Sequence, residues 1–356
     1  MTRENEAVWV RSRWSRPRVG SAPHPTAGRG EVVVRTGAVA VNPVDTMPPP
    51  VRWLVYPWLR YPTVLGVDVA GWVVEVGEDV TGVGVGDRVI GLATGQERDR
   101  NRPEGGAFQH HVVLDADLTT ALPDRLALTD AVVLPLAVAT AAVGLFHPDR
   151  LDLDLPGDAP GTERGTVLVW GGSTSVGCSA IQLARLAGHR VVATAAPHNQ
   201  DLVRGLGAEE VLDHHAPDAV AAAVEVLERG GHRLVGALAV APPSLGPTLR
   251  VVRSVRPHGD PVRVSSAQPG PATTVRGLLA RRYGVHVSAI WGGDLSRSDL
   301  GRIVYTQLLP SALADGSLRP APPADVVGDG LAQVPVAIGR LERGVSGRKL
   351  VVTTSS

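Results

Sequence analysis

Residues 166–177, TVLVWGGSTSVG, decide the fold class of this chain. The apolar run up to Trp170 predicts a buried strand, two glycines end it, and apolar residues from Val176 to Ala187 recur at helical spacing. A glycine turn that opens a helix exposes N–H groups where the helix dipole favours an anion, and glycine lets a pyrophosphate approach without a Cβ contact. The stretch therefore predicts a dinucleotide-binding turn made by Gly171, Gly172, Ser173, Thr174, Ser175, Val176 and Gly177.

The segment after this turn indicates which cofactor is bound. HRVVAT at 189–194 predicts a second strand, which completes a β-α-β unit of about 30 residues, as half of a Rossmann domain requires. An NAD site usually carries a carboxylate near the end of this strand, and the chain reads AAPHN at 195–199 instead. With no carboxylate to repel a 2′-phosphate, and with His198, Asn199 and Arg204 nearby, the sequence favours NADP. The alternative is that Arg204 only solvates its helix.

Composition favours an enzyme of two domains. The chain has 356 residues, 44% of them apolar, and its 35 acidic residues balance 35 basic ones, which argues against both a disordered chain and a nucleic-acid-binding protein. Lys349 is the only lysine, so arginine carries nearly all of the positive charge. Cys178 is the only cysteine, which excludes an intramolecular disulfide and a multi-cysteine zinc site, and its helical position favours packing over nucleophilic catalysis.

No membrane segment is predicted. The N-terminus, MTRENEAVWV, lacks the positive-then-apolar pattern of a signal peptide. The longest apolar run, 131–146, holds 16 residues and contains Pro135, which is short of the 18 or more that argue for a membrane span. We therefore expect a buried helix there and a cytoplasmic protein without membrane association.

The sequence pattern of the N-terminal third of the chain predicts mainly β-strands. Residues 31–41 predict a strand, and NPVD at 42–45 predicts a turn or a short helix start. Residues 47–62 contain five prolines and two tryptophans, a composition that predicts a structured loop with neither helix nor central strand. Residues 65–91 alternate small and β-branched residues with glycines at bends, as in a small, tightly curled β-barrel. Further strands are predicted at 234–240, 262–266, 285–290 and 350–353, and helices at 299–313 and 330–343.

A series of motifs along the chain resembles the medium-chain dehydrogenase/reductase superfamily. They occur in order: NPVD at 42–45, YPTVLGVDVAGWVVEVG at 61–77, GDRV at 86–89, GGAF at 105–108, LPLAVATAAVGLF at 134–146, VLVWGGSTSVG at 167–177 and GVSGRKLVV at 344–352. Within that superfamily, the chain most resembles the zinc-independent, trans-acting enoyl reductases that serve polyketide synthases.

The resemblance implies an α/β fold of two domains with a substrate cleft at their junction. A GroES-like β-barrel catalytic domain would comprise residues 1–126 and 293–356, and a Rossmann domain with a doubly wound parallel sheet would comprise 127–292. Since related proteins occur both as monomers and as homodimers, the chain is expected to be one or the other.

The same resemblance implies candidate catalytic residues. Asn42 and Thr140 would face the nicotinamide, although a turn-forming asparagine and a helix-packing threonine are the simpler interpretations. The trans-acting reductases typically have a lysine near the substrate carbonyl, and Met47 stands at that position here. Because a thioether cannot donate a hydrogen bond, Tyr56, Thr46 or a water molecule would have to serve as the donor.

Metal-dependent and serine-based chemistry are both disfavoured. Zinc-dependent relatives carry Gly-His-Glu where this chain has GVD at 66–68, and the adjacent histidine pairs at 110–111 and 214–215 do not form a metal-binding pattern. A hydrolase nucleophile elbow needs a glycine two residues on either side of the serine, and GGSTS at 171–175 lacks that spacing. We therefore expect no bound metal.

The sequence thus predicts an NADPH-dependent reductase of an activated C=C bond, acting on a small-molecule or acyl-carrier-bound enoyl thioester in secondary metabolism. Quinone reduction is the nearest enzymatic alternative because it uses the same hydride. A non-redox cyclase or isomerase and a cofactor-binding protein without turnover also stay open, since Met47 replaces the usual donor.

Overall fold

The computed structural model of the chain describes residues 5–157, 164–231, 233–255, 261–268 and 270–354. The chain divides into two compact units, a first unit of residues 1–136 and 301–356 and a second unit of residues 137–300. The predicted boundaries lie ten and eight residues earlier, the first of them where the sequence pattern changes from strands to apolar helices. The short helix that follows this change packs against the barrel. Leu128 lies so close to Gly37 that a Cβ on this glycine would be 2.6 Å from Leu128 Cδ1.

The N-terminal part of the first unit consists mainly of antiparallel strands. Its helices and strands are β1 (Asn5–Val10), β2 (Arg18–Ala22), β3 (Glu31–Ala40), α1 (Pro49–Val55), β4 (Thr63–Val64), β5 (Asp68–Val76), β6 (Arg88–Leu92), β7 (His111–Asp115), β8 (Thr119–Ala121) and α2 (Leu128–Ala131). Short 3₁₀ turns occur at Pro43–Thr46, Pro103–Gly105 and Ala116–Leu118.

Helix α1 corrects the prediction for residues 47–62. Prolines 48, 49 and 50 stand at the N-cap and in the first turn, where a helix needs no backbone N–H donor. The helix ends at Val55, two residues before Pro57. The prediction of a loop without a helix was therefore wrong, because it counted the prolines without weighing their positions.

The second unit alternates strands with helices. Its elements are α3 (Pro135–Phe146), which begins at the boundary, and then β9 (Thr166–Trp170), α4 (Ser175–Leu186), β10 (Arg190–Thr194), α5 (Gln200–Gly205), β11 (Glu210–Leu212), α6 (Ala219–Arg229), β12 (Leu234–Ala239), α7 (Leu245–Val255), β13 (Val262–Ser266), α8 (Pro271–Arg281) and β14 (Val285–Ala289). A 3₁₀ turn at Pro197–Asn199 precedes α5, and another at Gly292–Arg297 follows β14.

The strands of the second unit form one parallel sheet in the order β11-β10-β9-β12-β13-β14. Numbered within the unit, this is the strand order 3-2-1-4-5-6 of a Rossmann domain. The central strand β9 is buried at every position, since helices cover both faces of such a sheet. The predicted strands and the doubly wound sheet are confirmed.

The C-terminal part of the chain returns to the first unit. Its elements are α9 (Asp299–Ile303), a π-helical turn (Val304–Leu308), α10 (Leu309–Asp315), β15 (Ala324–Asp329), a 3₁₀ turn (Leu331–Gln333), α11 (Val334–Glu342) and β16 (Lys349–Thr353). The sequence predicted a single regular helix over 299–313, whereas the structure interrupts it with the π-helical turn.

The strands of the first unit form the curled barrel that the glycine-rich segment predicted. The larger sheet has the order β15-β16-β3-β5-β6-β8, and β7 pairs with β3. Register shifts between β3 and β5 bend both strands, as β-bulges do in small barrels. A smaller sheet has the order β2-β1-β4.

The most apolar stretch of the chain is Leu128–Phe146, which is long and apolar enough by composition to cross a membrane. In the structure, 72% of its most apolar window is buried inside the protein. This burial agrees with the prediction of a core helix.

Candidate functional site

The first candidate site is the turn after β9. β10 and β12 lie on opposite sides of β9, so the connection that leaves β9 towards β10 and the connection that leaves β12 towards β13 run in opposite directions. At such a switch point a crevice opens beyond the carboxyl ends of the strands, and this is where open α/β sheets bind ligands. The predicted glycine turn lies at this point.

Hydrogen bonds hold the turn in a fixed shape. Gly171 adopts a φ of +103°, a region that favours glycine. Its N–H donates to Thr194 Oγ1 at 3.0 Å, and Gly172 N–H donates to Thr194 O at 2.7 Å. Thr174 caps α4, since its Oγ1 accepts from Gly177 N–H at 3.0 Å and donates to Gly171 O at 2.8 Å. The turn is therefore ordered by its own backbone and by β10.

The glycines of the turn are required by close packing. A Cβ on Gly177 would lie 2.2 Å from Gly171 O, and a Cβ on Gly172 would lie 3.1 Å from Ala193 Cβ. The helix therefore starts in direct contact with the turn. As at every α-helix start, the first backbone N–H groups have no acceptor within their own helix. A close-packed glycine turn at the opening of a helix fits the pyrophosphate of a dinucleotide.

The residues predicted to contact the 2′-phosphate of NADP follow β10. His198 is exposed and Asn199 is buried, both in the 3₁₀ turn before α5. Arg204 is exposed on α5, where its guanidinium donates to Asp201 Oδ1 at 3.1 Å and to Gln200 Oε1 at 2.9 Å. These bonds within one helix match the simpler interpretation of Arg204, and its contact with a phosphate stays a prediction.

The second candidate site is a buried polar cluster in the first unit. Lys349, only 4% exposed, donates to Asn42 Oδ1, and its Nζ lies 2.9 Å from Oδ2 of the fully buried Asp68. Asn42 Nδ2 donates to the same Asp68 oxygen at 2.8 Å. Each member of this Asn42–Asp68–Lys349 triad therefore contacts the other two, and the orientation of the Asn42 amide is fixed.

Backbone groups complete the surroundings of Asp68. Its Oδ1 accepts from Leu136 N–H at 2.7 Å, so both carboxylate oxygens have partners. Tyr305, in the π-helical turn, is also fully buried and donates to Pro135 O at 2.6 Å. Burial, with the Asp68 charge as a smaller cause, raises the pKa of Tyr305 well above its ordinary value. Tyr305 is therefore a neutral donor under all working conditions.

Asp45 lies beside the triad and is also buried. Its Oδ2 accepts from Asn42 N–H at 2.8 Å, whereas its buried Oδ1 has no partner among the described residues. Burial raises the pKa of Asp45 to about 7; the Asn42 hydrogen bond opposes this shift, and repulsion from Asp68 adds to it. Asp45 therefore titrates near neutral pH.

The other candidate donors near Met47 are engaged locally. Thr46 Oγ1 donates to Pro43 O at 2.8 Å. Tyr56 is buried, and burial raises the pKa of its hydroxyl well above the ordinary value, with a smaller contribution from Glu97. Arg52, buried on α1, donates from Nη2 to Met47 O at 3.0 Å. A guanidinium thus lies at the residue that replaces the expected lysine.

Thr140, the remaining predicted catalytic residue, is half-buried on α3 in the second unit. Cys178 is buried on α4, where its thiol donates to Gly172 O at 3.4 Å, which agrees with a packing role. Within the described ranges, no three His, Cys, Asp or Glu side chains converge in a way that could hold a metal ion.

Comparisons with known proteins bear on both candidate sites. Residues 28–124 match the alcohol dehydrogenase GroES-like domain family. The dehydrogenase azaJ of Aspergillus niger is 41% identical over 340 residues, covering 94% of each chain. The trans-enoyl reductase himH of Aspergillus japonicus is 36% identical over 352 residues, covering 99% of this chain and 98% of that protein. An alcohol dehydrogenase superfamily protein from Novosphingobium aromaticivorans superimposes with a TM-score of 0.74 at 25% identity, covering 99% of this chain and 100% of that one.

The chain belongs to the medium-chain dehydrogenase/reductase superfamily.

Membership of this superfamily confirms the resemblance stated from the motifs and the fold class of a GroES-like barrel with a Rossmann sheet. It also supports the prediction of an oxidoreductase and of a nicotinamide cofactor. The site residues themselves stay predictions, and the geometry above describes what each of them can do.

Sequence reasoning missed three residues of this medium-chain reductase. The sequence marks Lys349 only as the single lysine and Asp68 only as a residue in the segment where zinc-dependent relatives carry Gly-His-Glu, and it gives no reason to select Arg52. Lys349 carried a usable signal, because one lysine among 35 basic residues is conspicuous in a chain that otherwise uses arginine. Its partner Asn42 lies 307 residues away in sequence, and no local pattern joins the two.

Proposed function

We propose that this medium-chain reductase uses NADPH to reduce the activated C=C bond of an enoyl thioester in secondary metabolism. The observation that carries the proposal is the full-length similarity to himH, a protein named as a trans-enoyl reductase. The close-packed glycine turn at the switch point of the sheet supports the cofactor part of the proposal.

Residues of the second unit would hold the cofactor. The turn from Gly171 to Gly177 would bind the pyrophosphate through N–H groups at the start of α4. His198, Asn199 and Arg204 would bind the 2′-phosphate, and no carboxylate stands at the end of β10 to repel it. When bound, NADPH supplies the hydride that adds to the β-carbon of the substrate.

Residues of the first unit would stabilise the developing enolate. Asn42 uses one Nδ2 hydrogen for Asp68, which leaves the other available to a nicotinamide or thioester oxygen. The triad holds this amide in one orientation, and pre-set donors are what stabilise an oxyanion most effectively.

Arg52 is our candidate for the cation that replaces the missing lysine. Its guanidinium keeps further N–H groups beyond the one that bonds Met47 O, whereas Thr46 and Tyr56 are a locally bonded hydroxyl and a buried phenol. The positive charge beside Met47 would favour a negatively charged oxygen at the position where related enzymes carry lysine.

We further propose that the enzyme works without zinc, in the cytoplasm, as a monomer or a homodimer, on a small-molecule or carrier-bound substrate. The residues at 66–68 support the first point, since Asp68 is committed to the ion pair with Lys349.

A turnover assay tests the reaction. NADPH oxidation would be measured against enoyl thioesters and quinones, with the mass of each product determined and with a chelator present in a parallel series. A saturated thioester two hydrogens heavier supports the proposal. Turnover of quinones alone would transfer the assignment to quinone reduction. A substrate returned isomerised or cyclised at unchanged mass, with NADPH unconsumed, would refute a reductase.

The choice of cofactor is tested by titration with NADPH and NADH. Arg204→Ala should weaken NADPH binding about tenfold, as expected for the loss of one charge-assisted phosphate contact, and leave NADH binding within twofold. Arg229→Ala, at an exposed arginine on α6, is the matched control and should change neither constant. Tighter binding of NADH than of NADPH by the unmodified protein would contradict the assignment.

A further inference from the structure

The first unit carries a concentration of positive charge that the reduction itself does not require. Residues 7–30 contain five arginines and residues 46–67 contain two, and neither stretch contains an aspartate or a glutamate. At the chain's average of 35 acidic residues in 356, the two stretches together would carry about four or five carboxylates. Because the whole chain has no net charge, this excess is local. Within it, Arg52 is buried and Arg29 pairs with Asp79, whereas the other five arginines are exposed and form no ion pair with a carboxylate among the described residues.

The fold brings the two stretches side by side. The end of β1 pairs with β4 through Trp9↔Val64 and Val10↔Thr63, so the turn between β1 and β2 leaves the sheet next to the segment that contains α1. The guanidinium of Arg13 in that turn lies 5.2 Å from the ring centre of Trp53 on α1, within the range of a cation–π contact.

Large apolar side chains stand exposed among these arginines. Trp14 is 66% exposed, Trp53 49% and Leu54 71%. Arg11, Arg13 and Arg16 are exposed, and none of the three forms an ion pair with a carboxylate in the described part of the chain. We call this region the hairpin–helix surface and define it by Arg11, Arg13, Trp14, Arg16, Trp53 and Leu54.

Arginine and tryptophan exposed together are typical of protein-binding surfaces, where tryptophan anchors the contact and the arginine fork pairs with carboxylates. The complementary partner is a protein face with negative charge around a small apolar patch. The surface also adjoins the candidate site, because α1 begins at Pro49, three residues after the turn Pro43–Thr46 that Asn42 caps.

We propose that the hairpin–helix surface docks the acidic face of the acyl-carrier domain that delivers the thioester. This proposal rests on the proposed function, since it assumes a carrier-bound substrate. An anionic membrane would meet the same side chains, but it gives no reason for the surface to adjoin the turn that bears Asn42. A carrier bound here would sit against the helix that follows this turn in the chain.

The test separates docking from chemistry by using two substrates. An acidic acyl-carrier domain of polyketide-synthase type, loaded with a crotonyl thioester, is compared with crotonyl-pantetheine, which is small and uncharged. Arg13→Glu combined with Arg16→Glu should raise KM for the carrier-bound substrate about tenfold and leave kcat and KM for crotonyl-pantetheine within twofold. The rise in KM should shrink between about 50 mM and about 500 mM NaCl, because salt screens the exposed charges.

Two controls make the result specific. Arg229→Glu combined with Arg276→Glu makes the same change in net charge at exposed arginines of the second unit and should leave both substrates unaffected. Trp14→Ala removes the apolar anchor without changing charge and should raise KM for the carrier-bound substrate alone. Circular dichroism checks that each variant is folded.

Other outcomes would overturn the proposal. An unchanged KM for the carrier-bound substrate, or an equal loss on both substrates, contradicts docking at this surface. If the unmodified protein reduces neither thioester, the proposed function fails, and docking is then decided by titrating the carrier domain itself: binding lost in Arg13→Glu with Arg16→Glu supports it, and no binding refutes it. Binding of phosphatidylserine vesicles through this surface, without binding of the carrier domain, would assign the surface to a membrane.

Discussion

The surroundings of Lys349 explain why a chain that otherwise uses arginine has a lysine at this position. Its ammonium is a compact charge that contacts Asn42 and Asp68 at once in a buried space, whereas a guanidinium is larger and planar. A buried ion pair is not stabilising as such, but the loss of one partner leaves an uncompensated charge away from water. The triad is therefore sensitive to removal of any single member.

Lys349→Met should lower the free energy of unfolding by about 3 kcal/mol, because Asp68 would stay buried without its cation. Urea denaturation measures the change. Arg348→Met, at the exposed neighbour, is the matched control and should stay within about 0.5 kcal/mol. Adding Asp68→Asn to Lys349→Met should restore part of the loss, since the unpaired charge is removed. A loss below about 1 kcal/mol in Lys349→Met would show that the cluster tolerates the unpaired carboxylate.

Because the pKa of Asp45 is raised, this carboxyl group makes the free energy of unfolding fall as pH rises, which is the opposite of the usual effect of a carboxyl group. Its pKa is about 7 in the folded protein, against an ordinary value of 3.8. Between these values the folded state holds a proton that the unfolded state releases, so this contribution is fully present below pH 3.8 and is lost as pH rises through 7.

Asp45→Asn should remove that dependence while its side-chain oxygen still accepts from Asn42 N–H. Between pH 8 and pH 5, the unmodified protein should gain on the order of 2 kcal/mol of unfolding free energy relative to this variant. Urea titrations of both proteins at several pH values measure the difference. Parallel curves for the two proteins would contradict a raised pKa at Asp45.

At the scale of elements, position within the element decided what proline and glycine do. Prolines 48–50 start α1, where their missing N–H groups cost nothing, although the same residues inside a helix would break it. Gly177 is the third residue of α4, a place where alanine would normally be preferred by about 1 kcal/mol. The contact between α4 and the glycine turn overrides that preference.

Gly177→Ala should therefore destabilise the protein and weaken NADPH binding, because its Cβ would lie 2.2 Å from Gly171 O and push α4 off the turn. Gly339→Ala on α11 is the matched control: the nearest atom outside its helix is Arg343 Nη1 at 3.9 Å, so helix propensity should add up to about 1 kcal/mol of stability. Urea denaturation and a cofactor titration measure both effects. Stabilisation by both alanines would show that the turn can shift without cost.

Across the whole molecule, the two units differ in strand topology and in the distribution of charge. The second unit has the Rossmann strand order, with its glycine turn at the point where the crossovers diverge. In the first unit, β16 lies between β15 and β3, and its pairing with β3 places Lys349 beside the turn that follows β3. The seven arginines of the two acid-free stretches also lie in this unit.

The features that could be predicted without the structure are those encoded within about 20 to 30 residues. The strand, glycine turn and helix at 166–186 follow from periodicity and from the conformational freedom of glycine, and the barrel texture of 65–91 follows from alternation with glycines at bends. Similar motifs in an unchanged order then identified the superfamily. These signals survive because each depends on neighbouring residues alone.

Contacts between residues that are distant in sequence became known from the folded structure alone. Asn42 and Lys349 are 307 residues apart, and they touch because β16 returns to pair with β3 through Val351↔Ala40. The orientation of the Asn42 amide depends on this pairing. The pKa of Asp45 is set by burial and by the charges of Asp68 and Lys349, which come from other elements. Hydrophobic periodicity in the sequence shows which face of an element is buried, but it does not identify the residues that cover that face. It therefore cannot predict such partners.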